Sequence, residues 1–117
     1  MNNFKKSIEE NIKKIDKLIV LSQVSRNKRL MLITLEEIEK VMKKELELFS
    51  NSKISRNEIE KIKELLRITK AHKESPMEFM KEDEIIILSK NQEITKISMK
   101  KLTDFSNLLK IIFENAK

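Results

Sequence analysis

Glycine and cysteine are missing from this 117-residue chain, as are tryptophan and tyrosine, and proline occurs once. Without glycine, no residue takes positive φ at little cost. Glycine-dependent phosphate loops, dinucleotide fingerprints and nucleophile elbows are therefore excluded. Turns must be built from Asn, Ser and Lys, which disfavours β-rich folds with many tight turns. The lack of cysteine excludes disulfides and thiolate metal sites and fits a reducing compartment. Long apolar runs are also lacking. None approaches the roughly 20 residues that span a bilayer. The first residues, MNNFKKSIEEN, have no uninterrupted apolar segment of the signal-peptide kind. The expectation is a soluble cytoplasmic protein with no membrane role.

What is present is charge and aliphatic bulk. Charged residues make up 38% of the chain, against roughly 25% in an ordinary globular protein. Hydrophobic residues make up 39%, dominated by Ile, Leu and Met with five Phe. That mixture is typical of helices with one buried stripe. The length suits a single domain over residues 1–117 with a modest core. The net charge of +6 points to an acidic partner, nucleic acid first. Lysine is abundant alongside Ile and Asn, however, and an AT-rich genome produces that bias without selection for binding.

Apolar periodicity predicts a helix over 3–24, with Phe4, Ile8, Ile12, Ile15, Leu18 and Ile19 on one stripe. Its end, Leu18-Ile19-Val20-Leu21, is apolar all round and needs cover from more than one neighbour or from a second subunit. A second helix over 28–49 follows a basic junction in which Ser25 or Asn27 supplies the cap. Ser50-Asn51-Ser52-Lys53 breaks the pattern. Ser55-Arg56-Asn57-Glu58 is a capping box opening a third helix over 56–71, with Ile59, Ile62, Leu65, Leu66 and Ile68 or Thr69 inward. Ser75-Pro76-Met77-Glu78 reads as another cap, so a short helix is expected from Pro76 to Lys81 or Asp83. Ile85-Ile86-Ile87-Leu88, Ser89-Lys90-Asn91-Gln92 and the return run 93–98 then read as a β-hairpin over 85–98. A last helix over 99–115, capped by Ser98, carries Leu102, Phe105, Leu108, Leu109, Ile112 and Phe113.

The expected fold is therefore mainly α: four to five helices with a small hairpin in winged-helix-like order. The alternative is an all-α bundle. Charge is unevenly spread along it. Residues 53–73 hold seven bases against three acids, a net +4, and residues 74–84 hold one base against five acids, a net −4. In a winged helix the element before the wing lies in the major groove. The expected acidic helix at 76–83 would be repelled there. Candidate DNA contacts are therefore the wing (Lys90, Asn91, Gln92, Lys96), the basic helix (Lys63, Arg67, Lys70, Lys73) and the junction cluster Arg26, Lys28 and Arg29.

No enzyme chemistry is expected. His72 is the only histidine, and it stands at a helix end, where a basic residue is simply favourable. A di-metal carboxylate site needs two Glu-x-x-His motifs, which one histidine cannot supply. Glu36, Glu37, Glu39, Asp83 and Glu84 read as solvated helix faces, and no cofactor or metal is anticipated. Met42, Met77, Met80 and Met99 read as core filler rather than a peptide groove. Two functions stand side by side: a small DNA-binding accessory or regulatory protein of plasmid or phage type, and a helical protein-interaction module such as an adaptor, chaperone or inhibitor. The apolar ends of the first and last helices make a homodimer the expected assembly.

Overall fold

A computed structural model of the chain describes residues 2–50 and 53–116. The order of elements is α1 (Asn2–Ser25), α2 (Lys28–Leu48), α3 (Arg56–Glu74), β1 (Met77–Lys81), β2 (Glu84–Leu88), β3 (Ile94–Ser98) and α4 (Met99–Asn115). The protein is mainly α with a small antiparallel sheet, and the all-α bundle is set aside.

The helices begin where their polar caps allow. Asn27 Oδ1 accepts from the backbone N–H groups of Arg29 (2.8 Å) and Leu30 (3.3 Å) at the start of α2. Ser55 and Glu58 close a complete capping box on α3. Ser98 Oγ accepts from the Lys101 N–H, so one residue ends β3 and opens α4. Each such cap is worth about 1 kcal/mol. Asn51 and Ser52, the centre of the expected break after α2, lie outside the described residues.

Helices α1 and α2 form an antiparallel hairpin: Ser22 meets Thr34 near the junction, and Lys14 meets Glu37 further along. Helix α4 runs antiparallel to α1, with Asp16 bonded to Lys110 (2.9 Å) and Lys5 Nζ donating to the Ala116 carbonyl (3.2 Å). It also packs on α2 and α3, so its apolar face is covered within the chain. The core draws on all four helices: Ile8, Ile12 and Ile15 of α1, Met31, Leu35, Ile38 and Met42 of α2, Leu65 and Ile68 of α3, and Leu102, Phe105 and Leu109 of α4. Phe49 meets Phe113 edge-on at 6.4 Å.

The sheet is a three-stranded meander, β1-β2-β3, with Phe79 opposite Ile86 and Ile86 opposite Lys96. The strand period of two sorts its side chains. Ile85, Ile87 and Ile97 join the helical core, whereas Ile86 is buried outside that cluster, on the opposite face. A strand apolar on both faces is a central strand, and β2 takes a partner on each edge. That requirement corrects the short helix expected over 76–83, where β1 stands instead. The Ser-Pro-Met-Glu signal was local. Ser75 Oγ accepts from the Met77 N–H and also meets the carbonyls of Met77 and Leu88, and Glu78 turns toward His72 rather than back to a cap. A helix of six to eight residues is marginal by itself, whereas Met77–Lys81 gains a full ladder along β2.

Other expectations change in detail. Phe4 and Ile59, placed on buried stripes, are exposed, and Val20, Leu21 and Val24 at the end of α1 are left uncovered among the described residues. Glu39, expected on an outer face, is buried, and Met77, expected in the core, is exposed. Three turns reach left-handed φ without glycine: Arg26 at 47°, Glu82 at 57° and Gln92 at 66°. Gln92 follows a turn closed by its own N–H to the Ser89 carbonyl, and Ser89 N–H then bonds Glu93. This is the left-handed position that a three-residue hairpin loop requires.

Candidate functional site

The basic residues singled out from the sequence fall into three places. Lys63, Arg67 and Lys70 lie at i, i+4 and i+7 along α3 and are exposed, so they share its outer face. Lys63 leans on Glu60 at 3.8 Å. Arg67 and Lys70 have no ion-pair partner among the described residues. Lys90, Asn91 and Gln92 form the exposed β2–β3 turn. Met77 pairs with Leu88, so this turn projects from the end of the sheet at which α3 hands over to β1 through Ser75. Lys96 is exposed on the sheet face carrying Phe79 and Ile86.

The junction cluster sits elsewhere. Arg26 pairs with Asp83 of the β1–β2 turn at 3.1 Å. That turn and the β2–β3 turn are at opposite ends of β2, roughly 20 Å apart at about 3.3 Å per residue. Lys28 Nζ donates to the Glu78 carbonyl (3.2 Å), which ties the start of α2 to β1. Arg29 is exposed at the start of α2. Lys73 is held by Glu39 at 2.8 Å, with Lys43 on the other Glu39 oxygen at 3.6 Å. Burial opposes the Glu39 charge, but the bond from Lys73 and the Lys43 and Lys73 charges outweigh it and hold the carboxyl below its usual range. The bond to Glu39 holds the Lys73 ammonium above its own. The geometry thus brings the C-terminal end of α3 and the β2–β3 turn to one end of the sheet and separates Arg26 from them; further back on α3, Glu64 beside Lys63 bonds Lys101 of α4 at 3.2 Å, past the other end of β3.

Sequence reasoning missed two groups. The His72 ring lies between two carboxylates, with Nδ1 2.5 Å from Glu78 Oε2 and Nε2 3.0 Å from Glu36 Oε1. Burial lowers the ring's proton affinity, but the bonds and charges of Glu36 and Glu78 more than offset it. The pKa stands above the usual 6.5. Glu36 is 36 positions away, so no local pattern announces the pair. Glu45 is fully buried in α2, and neither carboxylate oxygen has a hydrogen-bond partner among the described residues. Burial pushes its pKa up to about 8. Here a signal did exist: the buried stripe Ile38, Met42, Phe49 passes through position 45.

The outward face of the sheet is apolar at one end. Met77, Leu88 and Ile94 lie in one cross-strand row, next to Phe79 and Ile86. Met77 is 53%, Phe79 42% and Ile94 62% exposed, against the usual expectation that such side chains face inward. No group of metal-binding residues is present among the described residues, and no helix among them is long and apolar enough to cross a membrane. The described residues thus form a four-helix, three-stranded, mainly α fold. Comparison with protein-family models, curated proteins and solved structures gives no match.

Proposed function

We propose that the protein binds duplex DNA through the outer face of α3 and the β2–β3 turn, as a small accessory or regulatory factor in the cytoplasm. The observation that carries this reading is the identity of the helix before the sheet. It is α3, with Lys63, Arg67 and Lys70 on one exposed face, and not an acidic segment. Of the acids of 74–84, Glu74 ends α3 four positions after Lys70 and stays beside that face, whereas Glu78 turns to His72 and Glu82 and Asp83 sit in the far turn. Lys63, Arg67 and Lys70 take phosphates, while Lys90, Asn91 and Gln92 add contacts at the groove edge and Lys96 strengthens the local field. Lys73, Arg26 and Lys28 already have partners within the chain and contribute less.

A salt titration of duplex binding tests the proposal. Each phosphate neutralised adds about −0.9 to the slope of log K against log salt. Replacing Lys63, Arg67 and Lys70 together by Gln is expected to flatten that slope by about 2 to 3. Absence of binding by the wild type at low salt would overturn the reading.

A second reading is favoured by the exposed Met77, Phe79 and Ile94: a protein-interaction module that docks a partner on the outer sheet face. It predicts a stable complex whose affinity is lost on Phe79→Ala and changes little with salt. A homodimer is compatible with either function. A second copy would cover Val20, Leu21 and Val24 at the end of α1. Sedimentation of the wild type beside Val24→Lys tests it, with a shift to monomer in the variant as the expected outcome.

A further inference from the structure

We propose that His72, clasped between Glu78 of β1 and Glu36 of α2, is a proton-operated latch that holds β1 against the helical layer and loosens it as the pH rises. The latch uses none of Lys63, Arg67 or Lys70, and stands apart from the nucleic-acid reading.

Strand β1 is an outer strand, hydrogen-bonded only to β2 in the sheet. Its side chains alternate between exposed and half-buried, and none is fully buried. Met80 alone of the strand packs against the core. Beyond that, the strand is tied to the helices by polar contacts: His72 to the Glu78 carboxylate, Lys28 to the Glu78 carbonyl, and Arg26 to Asp83 in the turn that follows. The His72 ring is the one member of this set whose charge ordinarily changes near neutral pH.

The geometry fixes the direction. Ionised carboxylates only accept hydrogen bonds, and a neutral imidazole has a single N–H. Both contacts, at 2.5 and 3.0 Å, are satisfied together only by the imidazolium. When the proton leaves, one ring nitrogen presents a lone pair to a carboxylate. The Glu36 side chain is 57% exposed and can turn to water, whereas Glu78, at 19%, cannot do so without moving β1. The remaining bond to Glu78 keeps its ionised acceptor but loses the attraction between the imidazolium and the carboxylate. The other charged groups around the ring reinforce this sign. From α2 come Glu36 and Glu39, with Glu39 taken up by Lys73 and Lys43. From α3 itself comes Lys73, and from β1 Glu78. Lys28, at the start of α2, stands on the Glu78 carbonyl. The carboxylates raise the ring's proton affinity above its ordinary value, so the latch is closed in mildly acidic solution and opens on the alkaline side. Release bares the edge of β2, with unpaired backbone groups beside Ile85, Ile86 and Ile87.

The test is amide hydrogen exchange by NMR on the full chain, compared as protection factors at pH 6 and pH 8.5. It is carried out in an E45Q background so that the buried carboxyl does not titrate over the same range. Protection of the β1–β2 ladder is expected to fall about tenfold while amides of α2 and α4 hold, and the His72 ring is expected to titrate with the same midpoint. His72→Gln is expected to show the lower protection at both pH values. Equal loss in every element, unchanged β1 protection across the ring's titration, or a pH-dependent fall that survives in His72→Gln would each overturn the latch. Should His72→Gln not fold, Glu36→Gln serves in its place. It must lower the ring's midpoint and move the opening of β1 with it, and an unmoved opening overturns the proposal.

Discussion

Glu45 is the residue at which the folded state works against itself. Its carboxyl is fully buried without a partner among the described residues, and its pKa rises from 4.5 to about 8. Between those values the folded chain keeps a proton that the unfolded chain releases, so stability falls as pH climbs through that window and is fully present below it. At 1.36 kcal/mol per unit, the ceiling is several kcal/mol. Glu45→Met is expected to raise unfolding stability by about 2–4 kcal/mol at pH 8 and by much less at pH 4.5, as read from urea denaturation. An equal gain at both pH values would show that the carboxyl is not the cause. Gln92 bears a smaller strain at φ 66°. A left-handed non-glycine residue costs about 1–2 kcal/mol, and glycine gives back part of the relief as chain entropy. Gln92→Gly is expected to stabilise by about 0.5 kcal/mol in the same assay.

At the scale of elements, the sheet separates what local chemistry announces from what only pairing decides. Asn27, Ser55 and Ser98 cap where their sequence context places them, because a cap is satisfied within three residues. The hairpin was legible because three Ile in a row disfavour helix and a polar turn follows. Strand β1 was not, because Ser75 and Glu78 carry helix-start chemistry. The deciding fact, an apolar β2 open on its other edge, becomes visible only once β2 is known to be a strand. The basic face of α3 was legible residue by residue, but its place directly before the sheet was hidden by the same misreading. The clasp of His72 was hidden because Glu36 comes from another helix. The two faces of the sheet supply a test: Ile87→Ala, in the core, is expected to cost about 3 kcal/mol. Ile94→Ala, on the open face, should stay within about 0.5 kcal/mol. Similar losses at both sites would mean that the outer sheet face is covered.

For the molecule as a whole, the two shifted groups act in the same direction. Glu45 and His72 both hold protons more tightly when folded. For Glu45 the benefit fades above 4.5. For His72 it is complete below the ordinary 6.5 and fades as pH rises through the raised folded value. Self-repulsion of a chain with net charge +6 opposes this trend as acid adds charge. The melting temperature is expected to peak near pH 5 and to fall toward pH 8.5, with a flatter profile in a Glu45→Met, His72→Gln double variant. A maximum above pH 8 would contradict both assignments.

Helix α4 follows every other element in the chain, yet it packs against α1, α2 and α3. On a ribosome, α1 and α2 emerge first with their apolar stripes turned toward a neighbour that has not been made. About fifty residues separate the end of α2 from the start of α4, which at 5–20 residues per second is roughly 3–10 s of waiting. The core therefore closes only after synthesis has passed α4. During that interval Leu35, Ile38 and Met42 are exposed to chaperones, and chains stalled before residue 99 are those most prone to aggregate.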